Sequence, residues 1–276
     1  MQVDYIIVGA GSAGCVLAEQ LTRCGRFSVL LLEAGGGLHN PWISVPAGFG
    51  ATYYHPKYNY MYYSDTEPHM DSRKLYVPRG KGLGGSGSIN AMIYVRGAAR
   101  DFDDWAKAGN PDWSYNKVLP YFKRLEQHPQ GENASRGGHG PIGITPMQQG
   151  AHPTCEYFLQ ACKESGVAHN PDFNGTHFAG VGIYDTNIRN GKRDSSYTAC
   201  LKPALERSNL NLWTHAKVDK LTVNNRRVEG VEVDYQGKRQ TIKAAEVILC
   251  AGAIASPQLL ELSGIGDRQH LARMGL

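Results

Sequence analysis

Three glycine-rich stretches hold the residues of this 276-residue chain whose types and spacing suit chemistry. The first is Gly9-Ala10-Gly11-Ser12-Ala13-Gly14, between the apolar run Tyr5-Ile6-Ile7-Val8 and residues 15–21, which have helical composition. A second apolar run, 28–32, ends at Glu33. Strand, glycine turn, helix, strand and acid in this order make a dinucleotide-binding βαβ unit. Gly9 permits the tight turn, Gly11 lets the backbone approach a pyrophosphate, and Gly14 lets the helix pack closely on the strand. The free N–H groups and positive dipole end of the helix then hold phosphate. A carboxylate at Glu33 accepts both hydroxyls of an adenosine ribose and repels a 2′-phosphate, which favours FAD or NAD over NADP. A lone glycine turn would also suit packing, but here every neighbouring part is in order.

The second stretch runs Arg79-Gly80-Lys81-Gly82-Leu83-Gly84-Gly85-Ser86-Gly87-Ser88-Ile89-Asn90 and continues into Ala91-Met92. Five glycines within eight residues raise the entropy cost of folding and serve neither helix nor strand. Their use is to bring backbone N–H groups close to phosphate oxygens or a flat ring, with Arg79 and Lys81 adding positive charge. The third stretch begins with a buried strand, 246–250, and passes through Ala251-Gly252-Ala253 to Ser256-Pro257. There Ser256 is expected to cap a last helix that carries Leu259, Leu260 and Leu262 and stops at Ser263-Gly264-Ile265-Gly266.

Other elements must position these stretches. Residues 35–60 are rich in Gly, Pro and aromatics and read as an ordered excursion over the nucleotide domain. Tyr53, Tyr54, Tyr58, Tyr60, Tyr62 and Tyr63 form an aromatic cluster, read first as a packed surface cap, with contact of one or two rings to a flavin or substrate as the alternative. A helical pattern over 101–126 breaks at Gly109-Asn110-Pro111. A further helix is expected over 154–166, with Phe158, Leu159 and Cys162 on one face and Gly166 as its stop. Residues 171–200 are turn-rich, with strand-like 182–184 and 186–188, and a short helix follows to Glu206. After a buried strand at 210–214, a meander alternates apolar and polar residues over 218–223, 228–235 and 239–244.

Composition narrows the function classes. A net charge of +4 with no basic run gives nucleic-acid binding little support. Six cysteines show no CxxC pair and no metal-ligand spacing with histidine, and Cys15 and Cys250 read as buried free thiols. No metal site is expected, and the sequons at Asn133 and Asn174 read as accidental. No apolar run approaches a membrane span, and the first strand starts too early for a signal peptide. These features suggest a cytoplasmic protein with reduced thiols, peripheral membrane association remaining open.

Together the three motifs resemble those of the glucose–methanol–choline oxidoreductases, FAD enzymes that oxidise alcohols. Asn90-Ala91-Met92-Ile93-Tyr94-Val95-Arg96-Gly97 is most similar to their choline dehydrogenase and long-chain alcohol dehydrogenase branch. The resemblance covers the whole chain. It implies an α/β fold of the FAD-binding, glutathione-reductase type: a parallel sheet with a β-meander, built from 1–150 and 203–276, plus part of a substrate domain in 151–202. It also implies FAD contacts at Gly9, Ala10, Gly11, Ser12, Ala13, Gly14, Glu33 and Ala34. Further contacts are implied at Arg79, Gly80, Leu83, Gly84, Gly85, Ser86, Asn90, Ala91, Met92, Ala251 and Gly252, and through the backbone of Val218. Some members hold FAD covalently on a histidine where this chain has Ile89, so a non-covalent cofactor is expected. Gly87 departs from the commoner second serine of the loop.

Members of that family continue well beyond the Ser-Gly-Ile-Gly motif, and the continuation supplies their catalytic histidine. No residue of this chain matches it. The catalytic group is therefore expected beyond Leu276, and the chain reads as an N-terminal portion that is inactive alone. The implied substrate is a small alcohol, choline or a primary alcohol, with the electron acceptor open. Two other readings stand beside this one: an NAD-dependent dehydrogenase, which has no need of the 80–90 loop, and a non-catalytic FAD-binding module.

Overall fold

A computed structural model describes residues 2–276. Strand β1 (Gln2–Val8) leads through the glycine turn into helix α1 (Ser12–Thr22) and on to strand β2 (Val29–Glu33). Helices α2 (Ala99–Lys107), α3 (Tyr115–Leu125) and α4 (Thr154–Glu164) follow. The chain then forms β3 (Leu210–Thr214), β4 (Ala216–Asn224), β5 (Arg227–Tyr235) and β6 (Lys238–Leu249) before helix α5 (Gly252–Leu262).

The six strands make one sheet in the order β3-β2-β1-β6-β5-β4. β3, β2, β1 and β6 are parallel neighbours; β5 and β4 add to β6 as an antiparallel meander. Period-two alternation divides the central strands between two apolar layers. Ile6, Val8, Leu30 and Leu32 pack with Val231, Val233 and Leu259 on one face. Ile7, Val29 and Leu31 pack with Cys15 and Ala18 of α1 and with Leu201 and Ala204 on the other. The expected α/β fold with parallel sheet and meander is present.

Four expectations about elements change. The strands expected at 239–244 and 246–250 are one twelve-residue strand, β6, because nothing in Ala244-Ala245 breaks it. Its first half pairs with β5 and its second with β1, and Lys243 stands opposite both Gly230 and Gln2. The last helix starts at Gly252 rather than at Ser256, which places Ser256 and Pro257 inside α5 and its front end after β6. On α4, Cys155, Leu159 and Cys162 are half-buried along one side, while Phe158 lies on the exposed side at 64%. Residues 182–184 form no strand; the local pairing uses Asp185–Thr186 and Ile188–Arg189 instead.

The chain divides into two compact units, one of the residues to Asn90 with Ser195–Leu276, the other Ala91–Asp194. This differs from the expected limits at 150 and 203. Residues 91–150 group with residues 151–194 because Arg96, Glu126 and Arg136 form ion pairs among themselves and with Asp172 and Asp185. Residues from Ser195 group with the sheet because Leu201 and Ala204 pack in its apolar layer. In the second unit Phe102 packs edge-on against Trp105 and Phe122. The Asn174 sequon is buried there, with its Oδ1 accepting from the Arg96 amide and its Nδ2 donating to the Tyr94 carbonyl. Among the described residues no helix is long and apolar enough to cross a membrane.

Candidate cofactor site

The first unit encloses a cavity of about 660 Å³ at the carboxyl ends of β1, β2 and β6, within the range of cofactor sites. The turn after β1 is set by backbone contact. Gly9 has φ +103°, and a Cβ there would lie 2.5 Å from the Cys250 carbonyl oxygen. A Cβ on Gly14 would lie 1.9 Å from the Gly9 oxygen, so α1 rests directly on the turn. Gly11 differs: its nearest neighbours would be 3.9 Å away, and it faces the cavity. No side chain caps α1 and its first turn carries no acid, which leaves its N-terminal amides available to an anion.

The second glycine stretch meets the first. The Gly84 amide donates to the Ala10 carbonyl at 2.7 Å, and a Cβ on Gly85 would lie 2.9 Å from the Gly11 Cα. A Cβ on Gly80 would lie 2.2 Å from the Gly85 carbonyl, and the Gly80 amide donates to Ser86 Oγ at 3.0 Å. A strap at 58–62 runs alongside. The Tyr60 amide donates to the Arg79 carbonyl and the Lys81 amide to the Tyr58 carbonyl, both at 2.8 Å. Buried Asn59 secures the strap: its Oδ1 accepts from the Met61 and Arg79 amides at 2.9 Å, and its Nδ2 donates to the Tyr53 carbonyl.

Glu33 sits at the end of β2, 7% exposed. Its Oε2 accepts from the Ala10 amide at 2.9 Å, and its Oε1 accepts from the amides of Gly35 at 2.8 Å and Gly82 at 3.0 Å. Burial pushes its carboxyl group up from the ordinary range against the pull of those three amides. A carboxylate offers about four acceptor positions. Three are taken here, so the room expected for both ribose hydroxyls is reduced to one open position on Oε2.

Thirteen of the twenty residues expected at the cofactor line this cavity: Gly9, Gly11, Ser12, Ala13, Glu33, Ala34, Arg79, Gly80, Gly85, Ser86, Val218, Ala251 and Gly252. The other seven stand elsewhere. Ala10 and Leu83 are buried in the apolar layer under α1, and Gly14 and Gly84 support the turns from behind. Asn90 does not line the cavity, and Ala91 and Met92 belong to the second unit. Sequence reasoning missed Lys217, Asp219 and the cavity-facing side of α5, including Gln258. Tyr60 and Tyr62 were visible only as members of a cluster; their rings stack at 5.3 Å, and burial pushes the Tyr60 hydroxyl to about 12. Cys250 is half-buried at the cavity, unlike Cys15, which is fully buried and whose thiol burial pushes to about 12.

The donor set suits an extended, anionic cofactor with an aromatic end. It has backbone amides at a helix start, a second glycine backbone against them, one buried carboxyl and an apolar wall from β4 and α5.

A family profile described as GMC oxidoreductase matches residues 3–275. An oxygen-dependent choline dehydrogenase of Rhizobium etli is 42% identical over 279 residues, covering all of this chain and 50% of its own length. One from Vibrio vulnificus is 43% identical, covering 99% of this chain and 49% of its own. The chain thus spans about half the length of the curated relatives it matches. Among solved structures, pyridoxine 4-oxidase from Mesorbium loti superposes with a TM-score of 0.95 at 33% identity, over 99% of this chain and 54% of that one.

Proposed function

The chain belongs to the GMC oxidoreductase family, and from that premise we propose that it holds FAD for the oxidation of a CH–OH group in a small alcohol such as choline or a primary alcohol. The observation that carries this reading is the meeting of two glycine backbones, Gly84–Gly85 against Ala10–Gly11, at the mouth of a helix N-terminus. A nicotinamide enzyme needs only the first of them.

When bound, FAD supplies a two-electron acceptor for the hydrogen on the alcohol carbon. The chain's own residues bind and orient it. Gly11, Ser12 and Ala13 direct α1 amides at the pyrophosphate, with Arg79 adding positive charge beside them. Glu33 and the Val218 backbone meet the adenosine end. Gly85 and Ser86, beside Gly11, and the start of α5 line the same cavity and would help to hold the cofactor there. No residue lining the cavity is a histidine, and we assign the proton-accepting role to none of them. A non-covalent attachment goes with Ile89, which is 3% exposed and packed with Ile43 and Tyr58. Six free cysteines accord with a cytoplasmic setting.

The test is direct. The purified chain, incubated with FAD and desalted, should carry a yellow chromophore that acid precipitation releases entirely into the supernatant. It should show no alcohol-dependent dye reduction by itself. Failure to retain any flavin would overturn the reading; flavin retained in the pellet would overturn only the non-covalent part.

A further inference from the structure

We propose that Glu33 is a positioning residue whose carboxyl group ties the two glycine-rich loops together before any cofactor arrives. Its three amide donors come from three segments: Ala10 in the turn after β1, Gly35 just past β2, and Gly82 in the second glycine stretch, 49 residues on. The backbones at Gly35 and Gly82 are so close that a Cβ on Gly35 would lie 2.4 Å from the Gly82 nitrogen. No side chain fits between them, so their amides need an acceptor that reaches in from one side. Buried N–H groups left without one are costly. The Glu33 side chain supplies it, with Oε1 taking two donors and Oε2 one.

This arrangement holds whether the group is ionised or protonated. A neutral acid still accepts at both oxygens and turns its own hydrogen toward the remaining open position. A glutamine cannot do the same. With its oxygen in the Oε1 place it keeps Gly35 and Gly82 and sets an NH₂ against the Ala10 N–H; reversed, it keeps Ala10 alone. An aspartate is one methylene short of the span. The specificity of the joint lies in having two acceptor arms, a property of the carboxyl group that the ribose alone does not require. The consequence for the cofactor rests on the FAD reading above: the loops are preorganised, and the ribose meets the single position left on Oε2.

Amide hydrogen exchange followed residue by residue on the full chain, with and without FAD, tests this. In the FAD-free wild type the Ala10, Gly35 and Gly82 amides should exchange as slowly as those inside β1. In Glu33→Gln, exchange should rise at least ~10-fold at Ala10 alone, or at Gly35 and Gly82 together. The FAD Kd of that variant should rise ~10-fold, with the visible absorption of the bound flavin altered at saturation, a change that general loss of stability does not produce. Free exchange of all three amides in the FAD-free wild type, slowed only by FAD, would overturn the proposal, and that result does not depend on the variant folding. Unchanged exchange in Glu33→Gln would overturn it too. Slow amides in a wild type that binds no FAD would support the joint and overturn the cofactor reading instead.

Discussion

The two compact units bury polar groups in opposite ways. In the first, an apolar layer covers each face of the sheet, and the one buried carboxyl at the cavity is held by neutral backbone amides. In the second, the paired strands are two residues long and buried apolar side chains are few. Charge pairs take their place. Arg136 binds Asp172 at 2.7 Å, Asp185 at 2.9 Å and Glu126 at 3.4 Å, and Arg96 binds the other oxygen of Glu126 and the Ser135 carbonyl. A sheet can organise polar backbone around a ligand because apolar layers supply its cohesion. A loop-rich segment without such layers relies on directional ion pairs, which hold one geometry and tolerate no missing member.

Removing the central carboxylate of the second unit is the most severe test of that contrast. Glu126→Ala leaves two buried guanidiniums short of a partner and should cost about 3–5 kcal/mol, read as an earlier urea transition in Trp105 and Trp113 fluorescence. A loss below about 1 kcal/mol would show that the pairs are incidental to its cohesion.

A pair of glycine variants sharpens the picture in the first unit. Gly14→Ala drives a methyl group onto the Gly9 carbonyl and should destabilise the fold by about 1–3 kcal/mol. A methyl group in Gly11→Ala would meet only ordinary van der Waals contacts, at 3.9 Å from the Cys250 carbonyl oxygen, and would face the cavity, so the thermal midpoint should stay put while the FAD Kd rises ~10-fold, measured by flavin fluorescence titration. If both variants acted on stability alike, the division between supporting and cavity-facing glycines would fail.

The smallest expected effect is a pH slope. His128 is buried beside Asp185 at 3.3 Å, and burial, aided by Arg136, holds its pKa below the usual value despite Asp185 and Glu126. The unfolded chain therefore takes up a proton first as pH falls. The contribution is complete above about pH 6.5 and is lost as pH falls through the lower folded value. Urea midpoints of the wild type should decline over that window, and those of His128→Asn should decline less. Parallel slopes would remove His128 from the account.

Much of the first unit was legible because its signals are local. Tyr5 to Glu33 compresses strand, turn, helix, strand and acid into one short stretch, and all of them fall where expected. The glycine excess at 80–87 likewise announced a close backbone approach. Asn59 carried no such mark, since its four partners are assembled only when the strap folds back on Arg79. Lys217 and Asp219 looked like ordinary meander residues until the β4 bulge beside Val218 set them at the cavity. The ion pairs of the second unit were invisible for the same reason, their members being scattered from Arg96 to Asp185.

By itself the order of residues determined which backbones are free of side chains, where apolar runs alternate, and which acid ends the second strand. Those are properties of neighbours along the chain, governed by sterics and period. Which two loops touch, how many donors a carboxyl receives and which charges are buried together were decided only by tertiary structure. Hydrogen bonds and ion pairs act over a few ångströms of space, and the sequence distance between their partners carries no force.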